Sequence, residues 1–98
     1  IESRNALART GDKSQEACTI RLKAALTASG LRQVELSEKV GLGTASINNQ
    51  MKGVQFPSRQ VVSFFYDQYR IDFNFFFAGL YAQLPADIQD LLFDALSK

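Results

Sequence analysis

Two short stretches of helical periodicity, separated by a tetrapeptide with two glycines, constrain this chain more than any other feature. From Gln33 to about Lys39 the spacing predicts a helix barely two turns long, with Leu36 and Val40 turned inward. A second short helix is predicted from Thr44 to Lys52, where Ile47 and Met51 repeat the four-residue spacing and Gly53 stops the run. Between them lies Val40-Gly41-Leu42-Gly43, with Gly41 placed where a left-handed turn residue is wanted.

Helices are predicted on both sides of this pair. Cys18, Leu22, Ala25 and Leu26 form one amphipathic stripe over residues 17–29, which Gly30 terminates, and Cys18 on that stripe reads as a small core residue. Ser58 can cap a helix carrying Val61, Val62, Phe65 and Tyr69, and Asp72 can cap another from Phe73 to about Leu80. Pro85 opens the last helix as its first residue, with Ile88, Leu91, Leu92, Ala95 and Leu96 on one face. No stretch reads as a strand. Residues 1–16 are polar, lack a sustained apolar period and are broken by Gly11-Asp12, so they read as a flexible arm, with Arg4, Arg9 and Lys13 available to track DNA.

With 98 residues the chain holds one domain and its tails. The expected division is the arm (1–16), a central domain (17–81) and a C-terminal helix (82–98) that packs back or dimerises. An apolar share of 46% without any long uncharged run speaks against a membrane span, and the opening segment is too polar for a signal peptide, so a cytoplasmic location is expected. One cysteine and no histidine leave no Cys/His zinc site and no Ser-His-Asp arrangement. No glycine-rich phosphate loop stands in the chain, and Asp87, Asp90 and Asp94 run along one helix, so neither an enzyme nor a cofactor is expected.

Net charge is only +1, but it is unevenly spread. Residues 1–70 hold ten Lys/Arg against six Asp/Glu, and residues 71–98 hold one lysine against four aspartates, which puts +4 on the first part and −3 on the second. Such a division suits a molecule with one face toward phosphate. The glycine-linked pair has the matching geometry. A helix that reads DNA must lie steeply against a short partner so that its outer face enters a major groove about 12 Å wide. Counting from Gln33, the fifth residue is the small Ser37, the ninth is Gly41 in the turn, and the fifteenth is Ile47, which plugs the space between the helices.

The run Leu31-Arg32-Gln33-Val34-Glu35-Leu36-Ser37-Glu38-Lys39-Val40-Gly41-Leu42, followed by Ser46-Ile47 and Lys52-Gly53, resembles the Cro/repressor-type helix-turn-helix family, the xenobiotic-response-element regulators. The resemblance extends over about Ala17 to Leu80, and Phe76-Phe77-Ala78-Gly79-Leu80 and Leu84-Pro85 resemble segments that follow the motif in that family. It implies an all-α, compact five-helix repressor-like helix-turn-helix domain with an additional C-terminal amphipathic helix. The implied function is sequence-specific DNA-binding transcription regulation, in the manner of a phage repressor on a palindromic operator. Base contacts are then expected from Thr44, Ala45, Ser46, Asn48 and Asn49, and backbone contacts from Gln33, Arg32, Lys39, Lys52 and Arg59. The residue types suit those roles: Asn amides pair with adenine edges, Thr and Ala methyls meet thymine methyls, and cations at helix ends reach phosphates. Two positions depart from the pattern. The second helix has no arginine before Lys52 and starts at Gly43, unless Thr44 is its cap. Gln50 occupies a place that is usually apolar, so either it lies at the rim or Met51 closes the core.

Nine of the eleven aromatic residues lie between Phe64 and Tyr81, more than a small core readily absorbs. Surplus apolar surface marks interfaces. A homodimer contact is therefore expected among Phe73, Phe76, Phe77, Tyr81, Leu92 and Leu96, as regulators of this kind read two half-sites symmetrically. The competing expectation is a protein-interaction or antitoxin-like module on the same fold, with region 64–81 as its partner surface.

Overall fold

Helix boundaries in the structure, a computed structural model describing residues 3–97, follow the capping residues closely. The helices are α1 (Arg4–Ala8), α2 (Gln15–Ser29), α3 (Gln33–Val40), α4 (Thr44–Met51), α5 (Arg59–Tyr69), α6 (Phe73–Ala78) and α7 (Ala86–Leu96), with no strand among the described residues. Ser14, Ser58 and Asp72 accept hydrogen bonds from the backbone N–H groups of Ala17, Val61 and Phe75, each satisfying a donor at the start of its helix. Pro85 precedes α7 as its cap rather than opening it as its first residue.

Six helices are expected from the sequence, and α1 is the addition. Ser3 accepts a hydrogen bond from the Ala6 N–H to start it, but one short turn of helix has little stability of its own. Tertiary contacts hold it. Ala8 is buried, the Gly11 N–H donates to the Ala78 carbonyl at 2.8 Å, and the Thr10 hydroxyl donates to the Gly79 carbonyl at 2.9 Å. Arg4 pairs with Asp90 at 3.0 Å while its guanidinium lies 4.7 Å from the centre of the Phe93 ring, and Tyr81 donates to Asn5. The expected flexible arm is thus docked over residues 4–12. Arg4, expected to track DNA, is engaged with α7, and Arg9 lies 3.9 Å from Glu16.

Helix α2 runs through the middle of the molecule, with α4, α6 and α7 packed on it. Its expected single stripe is broader in fact: Ala17, Cys18, Thr19, Leu22, Ala24 and Ala25 are all buried, whereas Leu26 is only partly so. Small side chains permit neighbours on several sides. Burial pushes the Cys18 thiol up, as suits a core residue that is not a reactive nucleophile.

Arg21, also on α2, is fully buried. Its Nε donates to the Ala8 carbonyl (2.9 Å), Nη1 to the Phe76 carbonyl (3.1 Å) and the Cys18 Sγ (4.0 Å), and Nη2 to the carbonyls of Arg9 (2.7 Å) and Asp12 (2.6 Å). A guanidinium has five N–H donors, and all five are used. Four backbone carbonyls, three from the leading segment and one from α6, take the place of water around the charge. Gly79 makes this approach possible. With φ at +71°, it lies so close that an added Cβ would sit 2.7 Å from the Ala8 oxygen and 2.9 Å from Nη2 of Arg21.

The aromatic surplus is mostly absorbed within the chain. Phe65, Phe75 and Phe76 are fully buried, Phe76 lies 5.7 Å from both other rings, and Tyr81 meets the Phe93 ring edge-on at 4.8 Å. Two of the expected dimer residues are therefore reassigned to the internal core: Phe76, because α6 packs on α2 and α5, and Leu92, because α7 folds back across α2. Phe77, Tyr81 and Leu96 are partly buried against the same core, and Phe73 is 42% exposed. No helix among the described residues is long and apolar enough to cross a membrane.

Candidate nucleic-acid interface

The turn between α3 and α4 is tied together by Ser37. Its carbonyl accepts from the N–H groups of Gly41 (3.0 Å) and Leu42 (3.2 Å), and its hydroxyl donates back to the Leu42 carbonyl. An alanine would fit the space but could not close this second loop, which gives serine at the close-approach position a physical reason. Gly41 takes the left-handed conformation at φ +74°, and the buried Leu36, Ile47 and Met51 lie among the core residues.

At the start of α3, Arg32 has a side chain that can only donate, so it cannot cap the helix. Glu35 does so, accepting from the Arg32 N–H at 2.9 Å and from its Nε at 3.2 Å. These bonds hold the Glu35 carboxyl below the usual carboxylate range. Gly43 precedes α4 without a side-chain cap, and Thr44 is the first helical residue, exposed, and not the cap. Gln50 does not lie at the rim. It is fully buried beside an equally enclosed Met51, accepting from the Ser58 N–H at 2.8 Å and donating to the Ser46 hydroxyl at 3.4 Å, so that α4 is joined to the cap of α5.

The outer side of α4 is open, and two adjoining hollows run along it. One is lined by Gln33, Val34, Thr44, Ala45 and Asn48. The other is lined by Lys23, Leu26, Thr27, Gln33, Asn48, Met51 and Lys52. Gln33 and Asn48 form the divide between them. One hollow contains no charged side chain, and the other contains two cations and no carboxylate. The second is continued by a further depression past Lys23 and Lys52 to Glu16, Thr19 and Gly53, where Gln15 donates to the Gly53 carbonyl at 2.6 Å and anchors the end of α4 to α2.

Of the residues expected to meet DNA, Gln33, Thr44, Ala45, Asn48 and Lys52 come together in these hollows. Asn49, Arg32, Lys39 and Arg59 are exposed but line neither. Ser46 is partly buried, its hydroxyl accepting from the Gln50 amide on the same helix, and it lines neither hollow. Three lining residues, Lys23, Thr27 and Val34, escape sequence reasoning. Lys23 arrives from α2, far along the chain, and no local spacing announces it. Val34 had a signal: it stands two residues before Leu36, about half a helical turn from the inward stripe, so an apolar side chain there faces outward.

Compared with family models, curated proteins and solved structures, the chain matches none. Among the described residues no cluster of His, Cys, Asp or Glu could hold a metal ion.

Proposed function

We propose that this chain is a sequence-specific DNA-binding transcription regulator, of the repressor-like helix-turn-helix kind, that reads duplex DNA with α4 and the start of α3. The observation that carries the reading is the open row of Gln33 and Asn48 amides, with the Thr44 and Ala45 methyls on one side and the Lys23 and Lys52 cations on the other. Amides pair with adenine edges, methyls meet thymine, and cations take phosphates, so three chemistries of one duplex are met by adjoining residues. No arginine lies among them, which disfavours the bidentate guanine contact. Action is by occupying a palindromic operator as a homodimer, without chemistry. In the aromatic region, the exposed Phe73, Tyr66 and Leu80 are the apolar side chains open to a second copy.

Selection of bound sites from random duplex DNA, followed by titration of the winner at two salt concentrations, tests this. A palindrome with half-sites about ten base pairs apart, bound with a steep salt dependence, is the expected result. Recovery of nothing above background from a well-folded sample overturns it. The same three exposed apolar residues favour the second reading, a protein-interaction or antitoxin-like module using region 64–81, and that result would make them the surface to pursue.

A further inference from the structure

Val34 is 43% exposed although it is apolar and sits on a helix whose inner face is well supplied by Leu36. It shares its hollow with Thr44, Ala45 and the amides of Gln33 and Asn48. Methyl groups therefore come from two helices, α3 and α4, to one recess bordered by two amides. The absence of charge there matters. A cation would select phosphate or guanine and a carboxylate would select cytosine, whereas the one apolar group displayed in the major groove is the C5-methyl of thymine.

We infer that Val34, Ala45 and the Thr44 methyl form a seat for the C5-methyl of one thymine in each half-site, while the neighbouring amide of Gln33 or Asn48 takes an adenine edge. Val34 is on this account a specificity-determining residue supplied by the helix that precedes the reading helix. The inference rests on the DNA-binding reading and names the base that the hollow selects. It requires no movement of the backbone, since all five lining residues already face one recess.

The test replaces each thymine of the selected site, one at a time, by deoxyuridine, which removes the methyl and keeps the O4 acceptor. Burial of one methyl is worth roughly 0.8 kcal/mol, so one such replacement per half-site should weaken binding about fourfold, and the others should leave it nearly unchanged. In Val34→Ala the penalty at that same thymine should shrink toward none, with the salt dependence unaltered and the thermal midpoint near that of the parent, as befits an exposed site. Equal uracil penalties in the parent and in Val34→Ala would remove Val34 from the seat. A selected site that tolerates uracil at every thymine overturns the methyl seat and leaves the regulator reading standing, whereas failure to select any site overturns the regulator reading and this inference with it.

Discussion

Arg21 and Lys23 stand two residues apart on α2 and carry the same charge, yet they have opposite situations. Arg21 is sealed inside the molecule with every donor on a backbone carbonyl or the Cys18 sulfur, and no bond left for a partner. Lys23 is exposed and lines the hollow that also holds Lys52, Gln33 and Asn48. A turn of about 200° along the helix separates an architectural cation from one free to meet phosphate. Counting basic residues to find a nucleic-acid surface treats them alike, and here that would misassign the more deeply placed of the two. The helix rotation decides, and what packs on each side of it.

The largest effect expected from breaking this contrast is at Arg21. Arg21→Met keeps much of the volume but removes the guanidinium donors from the buried Ala8 and Phe76 carbonyls and from the part-buried carbonyls of Arg9 and Asp12, and it should destabilise the fold by about 3 kcal/mol or more, seen in urea unfolding, with early proteolysis of the leading segment. A loss under about 0.5 kcal/mol would show that water can replace the guanidinium. Gly79→Ala comes next, at about 2–3 kcal/mol, since it combines a left-handed backbone with a Cβ against the Ala8 oxygen. Gly30→Ala is its control. Gly30 has a similar φ of +75° with nothing within 4 Å of the added carbon, so its cost should stay near 1 kcal/mol. Equal losses at the two glycines would mean that the tight packing around Gly79 relaxes freely.

On the exposed side, Asn48→Ala should cost about 1–3 kcal/mol of affinity on the selected site only, and more than Asn49→Ala, because Asn48 divides the two hollows and Asn49 lines neither. The reverse ranking would move the reading surface around α4. Lys23→Ala should leave stability unchanged and flatten the slope of log affinity against log salt by about 0.9, equally on cognate and random DNA, as should Lys52→Ala. An unchanged slope would return Lys23 to the ordinary solvated surface.

The smallest effect concerns the start of α3. The folded Glu35 has its carboxyl held below the ordinary range, chiefly by the Arg32 backbone N–H. Its contribution is therefore complete above the unfolded carboxylate value of about 4.3 and is lost as pH falls through the lower folded value. The stability gap between the parent and Glu35→Gln should be constant from pH 7 to about pH 5 and close toward pH 3. A gap that persists in acid would show that the carboxylate charge is not what matters.

The elements were largely legible in the chain because capping is local. Ser58 and Asp72 each bond a backbone N–H three residues on, and Gly41 needs only its own backbone to turn, whereas the Ser14 cap, which starts α2 two residues before the expected position 17, falls in the stretch expected to be arm. The pair α3 and α4 was legible for the same reason, since Ser37, Gly41 and Ile47 act within fifteen residues of one another. Half of the candidate surface followed from it: Gln33, Thr44, Ala45, Asn48 and Lys52 all lie in that segment. What the tertiary structure alone decided is everything that depends on distant chain meeting distant chain. Residues 4–12 carry no sustained apolar period, and the partners that dock them, Arg21 for their carbonyls and α6 and Gly79 for the Gly11 N–H and the Thr10 hydroxyl, come from elsewhere in the chain. Phe76 and Leu92 could not be told from surface apolar residues in the sequence, because the first is enclosed by α6 packing on α2 and α5 and the second by α7 folding over α2. Lys23 and Lys52 share a hollow where Gln15, by its bond to the Gly53 carbonyl, holds the end of α4 against α2. Periodicity and capping act over three or four residues and can be read from one segment; burial and charge exposure are properties of contacts between segments, and they exist only once the helices have packed.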